Sequence, residues 1–204
     1  MGFLLLQYEY QRANRQCNLL TRTGIRLNDQ IGRYTKRIEK MQSVFSKAQS
    51  RLENKYSQMS NMMGNRISGA ASQIASGSTD PMVNLKNAIC SCVIGGVNLG
   101  NFVNFRSIPA GATQQDILAA MTQAASEAKS VLATLIQNAQ EADTEKLQAQ
   151  QDAQLQPISE KEGDLQAEQN TNDALITLWE QRRDAAKEKL GPAIENSMGK
   201  YGIK

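Results

Sequence analysis

The sequence predicts an all-α protein: a long antiparallel helical hairpin or three-helix coiled coil with a small irregular middle region. Three observations predict it. Apolar residues recur in alternating steps of four and three through the first 62 residues and again after residue 113. No proline occurs before Pro81. Aromatic residues make up only 5% of the 204-residue chain, too few bulky groups to fill a wide globular interior, whereas helices paired along narrow seams need fewer.

The first element is a helix over 1–66. One series of seam positions runs Tyr10, Cys17, Gly24, Ile31, Ile38, Phe45, Leu52, Met59. The other runs Leu6, Ala13, Leu20, Leu27, Tyr34, Met41, Ala48, Lys55, Met62, and only Gly24 and Lys55 break the pattern of apolar or small residues. One continuous helix from about residue 4 to 66 would be roughly 90 Å long. Gly24 and Gly32 each cost about 1 kcal/mol relative to Ala and mark places for a bend or a close crossing.

Residues 67–112 form the middle region. From Gly64 to Pro81 the text turns to small residues and turn formers, which reads as a boundary or linker. Pro81 opens a short helix with Asp80 as its N-cap. The Gly- and Asn-rich text after it reads as loop or short extended pieces. Residues 87–105 carry no charge and are the only candidate contact with a membrane. Their asparagines argue against a spanning helix, because an unpaired polar group in lipid costs several kcal/mol. The preferred reading is a cap that buries Ile89, Val93, Ile94, Val97, Leu99 and Phe102 over the end of the hairpin.

The third element is an Ala-rich helix over 113–156, with Thr113 as N-cap and Asp116 in the favoured first turn. Its seam reads Leu118, Met121, Ala125, Ala128, Leu132, Leu135, Ala139, Ala142, Lys146, Ala149, Ala153. Pro157 is expected to stop or kink it. A polar helix and tail fill 157–204, with Leu165, Asn172, Ile176, Trp179, Ala186 and Leu190 on one stripe. Trp179, with Arg182 and Arg183 beside it, could form a stacking site but reads first as the largest knob on its seam.

Chemistry is harder to find. The chain has no histidine, which removes the commonest general base and metal ligand. Its three cysteines, Cys17, Cys90 and Cys92, are no disulfide framework, and read as small buried apolar residues. The Gly-rich text GGVNLG lacks the lysine of a phosphate loop. Carboxylate pairs such as Glu160 and Glu162 sit in polar text with no pocket to shift their pKa values. No catalytic constellation, cofactor site or metal site is expected, and the chain is read as a non-enzyme.

Charge divides along the chain. Residues 1–75 carry a net charge of +8 and residues 113–204 a net charge of −6, so the overall +3 hides two oppositely charged arms expected to pair. The basic residues are scattered around the first helix and belong to no known reading module, so nucleic acid is not an expected partner. The expected partner is a second copy of the chain, giving a homo-oligomer or polymer; a partner's helix is the other candidate.

The layout of basic helix, small-residue middle, acidic helix and C-terminal helix resembles the filament-forming subunits of flagellar-type and type III secretion systems, which pair their terminal helices as a coiled coil. The resemblance is architectural, covers most of the chain and carries over no individual residue. It implies head-to-tail self-assembly, no enzymatic activity, and export to the cell surface or beyond without a cleaved signal after synthesis in the cytoplasm. A secretion chaperone or coiled-coil adaptor, and a phage or viral structural component, are the alternatives. The packing seam on which all of these rest is Leu20, Leu27, Ile31, Tyr34, Ile38, Met41, Phe45, Leu52, Leu118, Leu132, Leu135, Ile176 and Trp179.

Overall fold

A computed structural model describes residues 2–72, 81–105 and 111–200. Helix α1 spans Phe3–Ser72, α2 Pro81–Cys90 and α3 Gln114–Lys200, with strands β1 Val93–Ile94 and β2 Val97–Asn98 between α2 and α3. The chain forms two compact units, Met1–Gln42 with Asp152–Lys204 and Ser43–Gln151. In each of them α1 packs antiparallel against α3: Asn172 meets Leu20 and Glu162 meets Thr35 in the first, Asp143 meets Tyr56 in the second.

In the first unit the four-three rhythm holds. Leu6, Ala13, Cys17 and Leu27 are buried on α1, and Tyr10, Leu20, Ile31, Tyr34, Ile38 and Met41 are half-buried. The facing stripe of α3 reads Ile158, Glu162, Leu165, Gln169, Asn172, Ile176, Trp179, Arg183, Ala186, Leu190, all buried or half-buried, in strict steps of four and three.

The second unit follows a different rule. On α1 the inward residues are Phe45, Ala48, Leu52, Tyr56, Met59, Met63, Ile67 and Ala70, in steps of three, four and four. On α3 one inward series runs Ile117, Met121, Ala125, Ala128, Leu132, Ile136, Ala139, Asp143 and Leu147 in the same rhythm, with Ala124, Val131 and Leu135 packed beside it. That is an 11-residue repeat, 3.67 residues per turn, where the first unit keeps the 7-residue repeat of 3.5. Extending heptads through this unit therefore puts the wrong residues inside. Lys55 and Met62 on α1, and Leu118, Ala142, Lys146 and Ala149 on α3, are exposed; so is Ala153, just inside the first unit. Replacing Met62, which is 70% exposed, by Asp is expected to change stability by less than about 0.5 kcal/mol. The same change at half-buried Met63 is expected to cost several kcal/mol. Chemical denaturation of the two variants checks the order, and a heptad register would reverse it.

Three boundaries also differ from the sequence expectation. Helix α1 runs on through Gly64 to Ser72, since single glycines in a packed helix are tolerated at about 1 kcal/mol each. Asp80, the expected N-cap of α2, lies outside the described residues. Helix α3 continues through Pro157 and Pro192 instead of ending at residue 156. Pro157 and Ala153, the residue whose carbonyl loses its partner, are both exposed, so water can replace the missing bond. The start of α3 is as expected: the Thr113 N–H donates to Asp116 Oδ2 at 2.9 Å, and the Asp116 N–H donates back to Thr113 Oγ1 at 3.3 Å.

The middle region caps the second unit. Helix α2 buries Leu85 and Ile89, one turn apart, against Ile67 and Ala70 of α1 and Met121 and Ala125 of α3. The chain then reverses through Gly95 and Gly96, whose φ values of 58° and 82° suit the tight two-residue turn between β1 and β2. Asn98 holds the next turn together, donating to the Cys90 carbonyl at 2.7 Å and accepting from the Gly100 N–H at 2.8 Å. The cap buries only part of what the sequence suggests. Ile89, Cys92, Ile94 and Leu99 are inside, but Val93, Val97 and Phe102 are 49%, 37% and 51% exposed. Val93 and Ile94 are successive residues that point to opposite faces of β1, and Ile94 takes the inward one.

Candidate functional site

The paired faces of α1 and α3 carry the candidate site. Of the seam residues named from sequence, Leu27 and Leu132 are buried. Leu20, Ile31, Tyr34, Ile38, Met41, Phe45, Leu52, Leu135, Ile176 and Trp179 are half-buried, and Leu118 is 50% exposed, outside the seam. The division follows the units: Leu20 to Met41, Ile176 and Trp179 line the first, and Phe45, Leu52, Leu132 and Leu135 the second.

One buried polar side chain sits inside the first seam. Asn172 is only 5% exposed and donates from Nδ2 to the Leu20 carbonyl at 3.0 Å. Room for it comes from Gly24, where an added Cβ would stand 3.0 Å from that same nitrogen. Asn172 lies on the apolar stripe read from the sequence, and Gly24 breaks the facing one. Their pairing across 148 positions has no local signature. A buried asparagine bonded across a seam fixes register, because sliding the helices would strand its amide without a partner.

Trp179 is flanked on both sides. The Arg182 guanidinium lies 4.9 Å from its ring centre and that of Arg12 5.9 Å, inside the reach of a cation–π contact. Arg12 joins this site from the other helix, which no sequence motif marks. Arg183, adjacent in sequence, instead donates to its neighbour Asp184 at 3.1 Å. A shallow groove of about 310 Å³ runs beside the indole, lined by Leu6, Glu9, Arg12, Ala13, Trp179, Arg182, Ala185, Ala186 and Lys189. Its charged residues number three basic and one acidic. Their flexible arms can receive an acidic side chain without moving the backbone.

The opposite charges of the arms are not spent on each other. The ion pairs among the described residues are Arg33–Asp29, Lys146–Asp143 and Arg183–Asp184, each within one helix. None joins α1 to α3. Exposed pairs contribute about 0–1 kcal/mol, too little to override seam packing in setting which way the charges point.

The second unit has its own polar contact. The Tyr56 hydroxyl donates to Asp143 Oδ2 at 2.7 Å beneath the Lys55 ammonium, which lies 5.1 Å from the Tyr56 ring. Burial, then the bonded carboxylate, pushes the Tyr56 phenol up to about 12. The Tyr56 bond in turn holds the Asp143 carboxyl below its ordinary value, helped by Lys146 and Lys55. Unfolded tyrosine ionises near pH 10, so between about pH 10 and 12 the unfolded chain loses this proton first, and stability should fall as pH rises. Asp143 acts at the other end: its contribution is present above about pH 4 and is lost as pH falls through its lowered value. Tyr56→Phe is expected to flatten the alkaline limb of a plot of denaturation midpoint against pH. An unchanged limb would mean that Tyr56 does not carry it.

Among the described residues no cluster of three Cys, Asp or Glu could hold a metal ion, and no helix is long and apolar enough to cross a membrane. Cys17 and Cys92 are buried and Cys90 half-buried, all as free thiols. The class defined is an all-α protein of two long antiparallel helices with a small capping region. Comparison with known protein families, characterised proteins and solved structures finds no match.

Proposed function

We propose that this chain is a structural protein that assembles with copies of itself through its long helices, as the subunit of a filament or similar extended polymer. The supporting observation is apolar side chains on the outer faces of helices whose seams are already filled. Leu4, Leu19, Ile25 and Val44 on α1 are 77%, 55%, 66% and 58% exposed, and Leu118, Leu175 and Leu178 on α3 are 50%, 40% and 43% exposed. Scattered single apolar residues are ordinary on a surface. Here they fall on helices that also carry unpaired charges of opposite sign, which suits association of like chains. In this reading the chain does no chemistry and acts at the cell surface.

Negative-stain electron microscopy with sedimentation of the purified protein tests the proposal. Rods or filaments of uniform width are expected. A monomer at high concentration and near-physiological salt would sink it. The groove beside Trp179 supports a second reading, an adaptor or secretion chaperone that receives a partner's helix. Its signature is a small closed particle and a stoichiometric complex with that partner.

A further inference from the structure

The flank of α3 that borders the Trp179 groove differs from the other flank. Residues one position before each seam residue of α3 form this flank in the first unit, and all are exposed between 161 and 189. At its middle stand Leu175 and Leu178, 40% and 43% exposed. The other flank, between 159 and 187, carries no aliphatic side chain at all. Between residues 159 and 189, therefore, large apolar side chains are presented on one of these two flanks only.

The charges around the two leucines have a symmetry. Asp164 lies 11 residues before Leu175, and Lys189 lies 11 residues after Leu178. Glu168 lies seven before Leu175, and Arg182 four after Leu178. From Asp164 to Lys189 the flank thus reads acidic, apolar, basic, with Lys161 standing beyond the acidic end. None of the four charged groups takes part in an ion pair among the described residues. A stripe with this order is complementary to itself when reversed.

We infer that this flank is an interface between two copies of the chain, related by a two-fold axis through the point midway between Leu175 and Leu178. Resting on the self-assembly proposed above, the inference names its contact. The two α3 helices run antiparallel, so that Leu175 meets Leu178 of the other copy, and the reverse. Asp164 then falls opposite the second copy's Lys189, twice over by symmetry. Glu168 falls within one helical turn of both Arg182 and Lys189 of the second copy. Leu19 of α1, 55% exposed one position before the seam residue Leu20, extends the apolar centre. The leucines supply the affinity, and the charges choose antiparallel over parallel, where acid would face acid.

Charge reversal and restoration test it, read by sedimentation of the full chain at low salt. Asp164→Lys alone and Lys189→Asp alone are each expected to weaken the two-copy contact about threefold to tenfold, and the double variant to restore it. Leu175→Asp with Leu178→Asp should abolish it. Circular dichroism should stay unchanged, since both leucines point outward. A double variant as weak as either single one would overturn the two-fold register. Wild-type-like assembly of the leucine variant would overturn the interface while leaving self-assembly itself standing, and a wild type monomeric at every concentration would remove both.

Discussion

Leu85→Ala is expected to lower stability by about 2–5 kcal/mol. Leu85 is 0% exposed and sits at the centre of the second unit, where α2 meets the end of α1 and the start of α3. Its neighbours Ile67, Ile89, Leu99 and Met121 are equally buried, and they belong to α1, α2, the short 3-10 helix Leu99–Phe102 and α3. Such a site collapses poorly around a cavity, because relaxing one neighbour pulls another out of contact. The loss should appear as a lower denaturant midpoint with an unchanged slope. Val83, on the same helix but 47% exposed, gives the contrast: Val83→Ala should stay within about 1 kcal/mol. Equal effects at the two positions would mean that α2 does not dock by the face described.

Pro157→Ala should act in the opposite direction, raising stability by about 3 kcal/mol. Proline inside a helix removes one backbone bond and crowds the carbonyl four residues back. Here the affected groups, Ala153 and Pro157, face solvent, so the alanine methyl displaces no packed side chain. The neighbouring Ile158 is buried and is untouched by the change. For a chain of this size the gain corresponds to a rise in melting temperature of roughly 6–12 °C. A fall in melting temperature would show that the proline shapes a contact which the straight helix cannot make.

Much of this architecture is legible in the sequence, and the limits have physical causes. The seam from Leu6 to Met41 is readable because a repeat of 3.5 leaves the same stripe facing inward for many turns. Beyond Phe45 the inward stripe drifts, and Tyr56, Met63 and Ile67 replace Lys55 and Met62. The methionine-rich text in that stretch offers an apolar residue to either register, so only the partner helix decides. Pro157 misleads for another reason: helix propensity is a local quantity, while α3 is held from both sides of the proline by packing. The Gly24–Asn172 fit and the Arg12–Trp179 contact join residues far apart in sequence. Neither is visible until the antiparallel register is known. The leucines at 175 and 178 escape attention because a search for the seam discards what lies beside it.

The change of repeat between the units has a consequence for the lengths this chain can adopt. In the first unit, shortening α1 preserves which residues face inward only if whole blocks of seven are removed, about 10.5 Å at a time. An equal block must leave α3, or Asn172 loses Leu20 and Gly24 together. In the second unit the permitted block is eleven residues, about 16.5 Å. Variants of this molecule should therefore come in discrete sizes, set by matched deletions or insertions on both helices, with a different step in each unit. An unmatched change of two or five residues in either helix turns every side chain beyond it away from its partner.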